Sequence, residues 1–270
     1  MPTTRITYTE LPAVVCAAIE QRIGPLISSE SASAGRNSAV AARLRTAAGT
    51  VFCKALPADH RWVWTQAREA AIAPHLHSVA PRLIGRIETG GWDVLLFEAI
   101  EGRHADYRPG SPDLPAVATL LDAIAATPCP AIPLRDAAER LQDYVRDQAE
   151  LRFFTGTTLL HTDLNNANII INAGQARIVD WGWATRGAAW LDAAYWTVWL
   201  TAAGHTPADA ESWTSVISTW SAAPSEGLDA FADAQARLWS QIAGNTADDP
   251  WTTQLAAGAC RWAEYRRSAV

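Results

Sequence analysis

Hydrophobic and polar positions change rhythm partway along the chain. In the first hundred residues, short runs with a period of two predict strands over residues 25–34, 39–47, 50–56, 82–89 and 92–99. Gly35-Arg36-Asn37-Ser38 turns the first strand into the second, Ala48-Gly49 the second into the third, and Gly90-Gly91 is a hairpin signal before the last. Two stretches keep helical spacing instead, residues 10–23 and 60–73, the latter stopped by Pro74. The expectation is a five-stranded, mainly antiparallel sheet with one helix inserted after the third strand.

Residues 100–113 hold Gly102, Pro109, Gly110 and Pro112 and read as a linker. From Leu114 onward the spacing is helical, with helices expected at 189–203, 207–221, 227–243 and 250–267. One interruption, residues 159–181, reads as a loop followed by two short apolar runs, 169–172 and 176–179, folded about Ala173-Gly174-Gln175 as a small hairpin. The class is therefore α+β in two lobes. A sheet lobe spans 1–99, a hinge 100–113, and a mainly helical lobe 114–270, with a cleft between the lobes. No repeat or long low-complexity run occurs.

Composition narrows the partners. The 270 residues are 49% apolar and 19% charged, as in ordinary globular proteins, and the net charge of -6 disfavours a nucleic-acid binder. Cys16, Cys53, Cys129 and Cys260 stand in no paired motif, which predicts reduced thiols rather than disulfides or zinc. The first residues lack an apolar core of the signal-peptide kind. The most apolar stretch, 188–204, is too short to span a bilayer and contains Asp192, so no membrane segment is expected and a cytoplasmic location is. Lysine occurs once, as Lys54, while arginine fills the other basic positions. A site that needs a compact ammonium is one reason for a single lysine to persist.

The candidate chemistry lies in the interruption. His161-Thr162-Asp163-Leu164-Asn165-Asn166-Ala167-Asn168 runs into Ile169-Ile170-Ile171, and Asp180 follows twelve residues after Asn168. An Asp and an Asn alone would be ordinary turn residues. Their joint spacing offers one carboxylate to orient a hydroxyl and accept its proton, and two oxygen ligands for a cation on phosphates. His161 reads as a packed scaffold residue.

The stretch from Leu159 to Trp196 resembles the aminoglycoside and choline kinase group, which shares the protein-kinase-like fold. Trp181 directly after the acid and Gly187 ahead of Asp192-Ala193-Ala194 are both typical of that group. The resemblance implies Asp163 as catalytic base, Asn168 and Asp180 as Mg2+ ligands, ATP or GTP as phosphoryl donor, and Asp192 as a brace for the loop. In the sheet lobe it implies Lys54 at the nucleotide phosphates with Glu69 as its partner. Glu69 lies on the apolar stripe of the second helix, where a carboxylate wants a cation. Phe52 shares the Lys54 face and would meet adenine. Ser33, Asn37 and Ser38 would belong to the phosphate loop. The backbone of Glu98 and Ile100 would hold the base, with Ile170 and Val179 as its apolar floor. Asn165-Asn166-Ala167 departs from the His-Pro-Gly of many relatives.

The implied activity is phosphorylation of a hydroxyl on a small molecule, an aminoglycoside or other antibiotic being one acceptor and an endogenous amino alcohol, sugar or nucleoside another. A catalytically silent binding protein on the same fold is the third reading. Beyond residue 200, eight acids face four arginines, which would suit a cationic acceptor and would equally suit a solvated helical surface. Ten of the thirteen tryptophans lie after residue 180. Trp183 is expected at the mouth of the cleft.

Overall fold

The computed structural model describes residues 4–32, 37–246 and 249–268. The chain forms two compact units, Met1–Gly102 with Arg177–Gly182, and Arg103–Ala176 with Trp183–Val270.

In the first unit, helix α1 (Ala13–Ile23) precedes strands β1 (Leu26–Ser31), β2 (Val40–Thr46) and β3 (Gly49–Pro57). Helix α2 (Val63–Ile72) comes before β4 (Leu83–Thr89) and β5 (Trp92–Glu98). The five strands make one antiparallel sheet in the order β1-β2-β3-β5-β4. Alternation gives the sheet two faces. Val40, Ala42 and Leu44, Val51, Cys53 and Ala55, and Val94 and Leu96 pack with Val15 and Ile19 of α1. Full burial of each such aliphatic side chain is worth about 1.5–3 kcal/mol. The intervening residues face the other way, and the register sets Ala41, Lys54 and Leu95 side by side there.

The second unit opens with β6 (Arg103–His104) and α3 (Leu114–Ala125). In the segment read as a linker, Arg103 grips the buried Asp113 at 2.5 and 2.6 Å, and the Asp106 N–H donates to the same carboxylate at 2.8 Å. Next come β7 (Arg135–Asp136), α4 (Ala137–Leu141), β8 (Thr158–Leu160) and β9 (Ile169–Asn172). A turn at Ala173-Gly174, both at positive φ, starts β10 (Gln175–Ile178), which carries the chain into the first unit. Then β11 (Thr185–Gly187) pairs with both β7 and β8. Helices α5 (Leu191–Ala202), α6 (Pro207–Ser215), α7 (Ser225–Asn245) and α8 (Pro250–Ser268) follow.

Every residue of α5 is buried, which explains its apolar composition all round. The core gathers around Phe231, whose ring lies 4.9 Å from Tyr195, 5.8 Å from Trp190, 6.0 Å from Phe154 and 6.1 Å from Trp262, centre to centre. Helix α8 lies close on α5 because residue 258 is glycine: a Cβ there would stand 2.7 Å from the Ala202 nitrogen. The helix expected over 207–221 ends at Ser215. Hydroxyls of Thr214 and Ser215 turn back onto the Glu211 and Ser212 carbonyls, and a separate 3-10 turn forms at Trp220–Ala222. No helix among the described residues is long and apolar enough to cross a membrane.

Candidate functional site

Lys54 is the centre of the polar group in the first unit. Its Nζ donates to both Glu69 oxygens at 2.9 and 3.0 Å and stands 3.2 Å from Asp180 Oδ1. Glu69 reaches it because Thr65, Gln66, Glu69 and Ile72 form the buried stripe of α2. The Trp181 N–H adds a bond to Glu69 at 3.3 Å. Burial alone would lower the Lys54 ammonium, but the Asp180 and Glu69 carboxylates outweigh it and hold the group above its ordinary value. Burial pushes the Glu69 carboxyl up, with Lys54 opposing.

Residues 177–182 join this unit through Arg177, which bonds Glu98 at 3.0 Å and the Ala80 carbonyl at 2.6 Å, and through the Ile178 N–H on Val79 at 2.8 Å. Asp180 has a φ of 69°, the left-handed region, a strained conformation for a residue with a Cβ. Next to it, a Cβ on Gly182 would meet the Thr65 Cβ at 2.8 Å, so only glycine lets this segment lie on α2. Phe52 pairs with Phe97, and Lys54 lies 5.9 Å from the centre of the Phe97 ring. At the strand end, the Glu98 N–H donates to the Arg82 carbonyl at 2.9 Å and the Ile100 carbonyl accepts from Arg43 at 3.0 Å. Both of those backbone groups are thus engaged within the protein. Asn37 and Ser38 lie half-buried just ahead of β2, Val179 is half-buried beside Asp180, and Ser33 falls outside the described residues.

The loop of the second unit is built around Asp163. Asn168 Nδ2 donates to the Asp163 Oδ2 at 3.0 Å and to its carbonyl at 3.1 Å. The Asp163 N–H donates to His161 Nδ1 at 3.2 Å, with His161 fully buried. Asn165 caps a 3-10 turn, Asn166–Asn168, by accepting from the Ala167 N–H at 2.9 Å, and Asn166 Nδ2 ties the loop to the Ala105 carbonyl at 3.0 Å. The two asparagines thus hold the backbone by their own amides. Tyr107 anchors the Leu164 carbonyl at 3.0 Å; burial raises its phenol well above the usual value, with the Asp163 charge adding to the rise. Ile170 shares β9 with the buried Ile169 and Ile171 and is itself half-buried.

Asp192 braces the same loop from α5. Its oxygens accept the His161 N–H at 2.8 Å and the Thr162 N–H at 2.9 Å. Burial pushes its carboxyl up to about 6, against those two bonds and the nearby Arg140. Thr162 adopts a φ of 67°, and its hydroxyl accepts from Arg140, which also donates to Thr185 at 2.8 Å. A β-branched residue in that region is a strained outlier, so Asp192 and Arg140 together hold the backbone that presents Asp163. Trp183, expected at the mouth of a cleft, has the Arg135 and Arg140 guanidinium carbons 5.0 and 5.6 Å from its ring centre.

Beside Asp163 the second unit has a pocket of about 80 Å³ that is partly open to solvent. Arg140, Thr162, Asp163, Tyr195, Trp199 and Trp239 are among the residues that line it.

No protein-family model matches the chain, and no curated protein does either. Solved structures do match. Choline kinase LicA from Streptococcus pneumoniae aligns with a TM-score of 0.63 at 14% identity, covering 94% of this chain and 100% of that one. Aminoglycoside phosphotransferase APH(4)-Ia aligns at 0.59 and 15%, covering 92% and 98%. APH(3'')-Id from Streptomyces rimosus, in complex with ADP and streptomycin, aligns at 0.54 and 17%, covering 78% and 92%. The chain has the fold of the aminoglycoside phosphotransferases and choline kinase. The kinase-like α+β fold expected from the sequence is therefore the fold found, with its five-stranded antiparallel sheet and helical C-terminal part.

Of the residues named from the sequence, Lys54, Glu69 and Asp180 come together in the first unit and Asp163, Asn168 and Asp192 in the second. Sequence reasoning missed Arg140 and Thr162. Arg140 lies in α4, five residues long and too short for its periodicity to stand out. Thr162 was legible only as the spacer in the loop; nothing in a sequence marks a threonine for positive φ.

Proposed function

We propose that the chain is an ATP-dependent phosphotransferase acting on a hydroxyl of a small molecule. The observation that carries this reading is the sole lysine, buried and clamped between Glu69 and Asp180 in the unit that also carries Phe52. A buried ammonium with two carboxylates is costly to assemble for stability alone, because replacing such a group by apolar side chains is often neutral or favourable. A nucleotide gives the arrangement a purpose: the lysine meets its α- and β-phosphates, with Glu69 holding the ammonium in place. Asn37 and Ser38 would serve the phosphates, as would Ser33. Phe52, Ile170 and Val179 would contact the base. With the Glu98 N–H and the Ile100 carbonyl engaged, the Glu98 carbonyl and the Ile100 N–H are the groups we assign to it.

Asp163 takes the part of the base. The acceptor oxygen forms a bond to the γ-phosphorus, the bond from that phosphorus to the β–γ bridging oxygen breaks, ADP leaves, and the hydroxyl proton passes to the Asp163 carboxylate. Asn168 keeps that carboxylate oriented through Nδ2, which leaves its Oδ1 to offer a cation. The Asp180 carboxylate and the Asn168 amide oxygen are the hard oxygen donors Mg2+ takes, and both residues would hold it. No group of three or more His, Cys, Asp or Glu able to hold a metal occurs among the described residues, so the rest of its shell would come from phosphate and water. When bound, the ion supplies neutralisation of phosphate charge. Since ATP is kept inside cells, the cytoplasm is the place of work.

The solved neighbours include kinases of both antibiotic and metabolic type, and likeness of fold favours neither. The test is calorimetry with Mg-ATP together with an ADP-release screen over hydroxylated antibiotics and metabolites. Micromolar to millimolar nucleotide affinity that is lost in Lys54→Met supports the reading. A protein that binds no Mg-ATP is instead a silent member of the fold.

A further inference from the structure

The pocket beside Asp163 says what the acceptor is, on the reading above that Asp163 accepts its proton. None of the seven described acids beyond residue 200 lines it. Glu211 and Asp229 are held by Arg266 at 3.3 and 2.7 Å, and Asp233 by Arg146 and Arg267 at 2.6 and 2.7 Å. Glu226 pairs with Arg152 at 3.8 Å. Asp209 accepts the Thr206 hydroxyl at 2.7 Å, Asp249 accepts the Trp251 N–H at 3.2 Å, and Glu264 is exposed. Asp248 lies outside the described residues. Four of the described acids are thus paired with arginines and two more accept hydrogen bonds inside the helical unit.

What does line the pocket is one carboxylate, Asp163, and one guanidinium, Arg140. Arg140 bonds two hydroxyls and faces a ring, and no carboxylate lies within ion-pair distance of it among the described residues. A multiply protonated acceptor would bring its ammonium groups against that cation with a single acid to receive them. Part of the lining is aromatic. Trp199 and Trp239 stand 6.5 Å apart, both backed by Trp251 at 5.7 and 5.6 Å.

Gln235 supplies the decisive feature. It lines the pocket from α7, is fully buried, and neither its amide oxygen nor its amide nitrogen has a hydrogen-bond partner. The Tyr195 phenol, pushed up by burial, is its polar neighbour, and the Gln235 amide acts on it in the lowering direction. An unpaired buried amide is destabilising, and one next to a reactive carboxylate is the mark of a recognition group awaiting its complement.

We infer that the acceptor is an uncharged hydroxylated molecule with a planar ring and an amide-type donor–acceptor edge, the build of a nucleoside, seated between Asp163 and the Trp199–Trp239 wall with Gln235 as its specificity residue. The ring lies on the tryptophans, the edge pairs with the Gln235 amide, and a hydroxyl reaches Asp163. ATP gives the γ-phosphoryl group to that hydroxyl oxygen, its proton goes to Asp163, and ADP is released.

The test uses the full chain with Mg-ATP, uridine and inosine as uncharged probes, and hygromycin B and streptomycin as cationic ones. Turnover is read by ADP release and binding by tryptophan fluorescence. At least one nucleoside is expected to be phosphorylated, with kcat/KM at least tenfold above either cation. Gln235→Met should raise its KM tenfold or more and leave kcat within threefold. The same variant should melt no lower than the parent, because it removes an unpaired polar group; a purely structural Gln235 would instead lower the melting temperature and leave KM alone. Turnover of a cation tenfold better than any nucleoside overturns the inference and keeps the kinase reading. Neither turnover nor quenching by both nucleosides, in a protein that binds Mg-ATP, overturns it as well. Failure to bind Mg-ATP at all removes the reading beneath it.

Discussion

Replacing Lys54 by methionine tests the polar centre of the first unit through stability rather than catalysis. The side chain fits a similar volume but leaves Glu69, 6% exposed, without the ammonium that its two oxygens meet at 2.9 and 3.0 Å. Removing one partner of a buried pair costs about 3–5 kcal/mol. For a chain of this size that lowers the melting temperature by roughly 6–20 °C. The loss depends on pH in a definite direction. Burial already raises the Glu69 carboxyl, and without Lys54 it rises further. A carboxyl raised in the folded state holds its proton after the unfolded chain has lost its own, so the variant loses stability as pH climbs above the unfolded value near 4.5. The parent keeps its cation and falls less. Thermal melts of both proteins at pH 5.5 and 8 should therefore show a deficit that is larger at pH 8. Lys54→Met/Glu69→Met should recover most of it, since an apolar pair replaces a broken ionic one. A single variant as stable as the parent at pH 8, or a deficit that does not change with pH, would refute the reasoning.

Three further outcomes are expected. Asp192→Ala leaves the His161 and Thr162 N–H groups unpaired in a buried place, costing about 2–6 kcal/mol in denaturant melts and lowering turnover together with it. Because the Asp192 carboxyl is pushed up to about 6 from 3.8, its ionisation opposes folding, and the parent should lose up to about 3 kcal/mol between pH 4 and 6 from this group. That loss should be absent from Asp192→Asn. Gly258→Ala drives a methyl to within 2.7 Å of the Ala202 nitrogen and should cost about 1–3 kcal/mol, whereas Gly244→Ala, with open space around it, should not.

The sheet of the first unit was legible because short strand-forming runs are set off by turns that carry glycine or a polar cluster. The Lys54–Glu69 pair was legible for a related reason: a carboxylate on the apolar stripe of α2 has to meet a cation. The same signal was present at Gln235, which lies four residues from both Phe231 and Trp239 on α7, and it passed unnoticed among ten tryptophans. What could not be read were elements without a period. Strands β7, β8 and β11 are two or three residues long, yet they position Arg140, Thr185 and the loop ahead of Asp163. The acidic bias of the helical half left two readings open for a different reason. Net charge counts residues without regard to their partners, and here Arg146, Arg152, Arg266 and Arg267 pair with four of the eight acids.

The central claim is that Asp163 takes the proton from the acceptor while a separate set of residues binds the nucleotide. Asp163→Ala measures it most directly, with turnover followed by ADP release on a productive acceptor and Mg-ATP affinity by calorimetry. Turnover should fall by about 10²–10⁴-fold while the nucleotide affinity stays within threefold of the parent. Turnover within threefold of the parent, or loss of nucleotide binding equal to the loss of activity, would contradict the account.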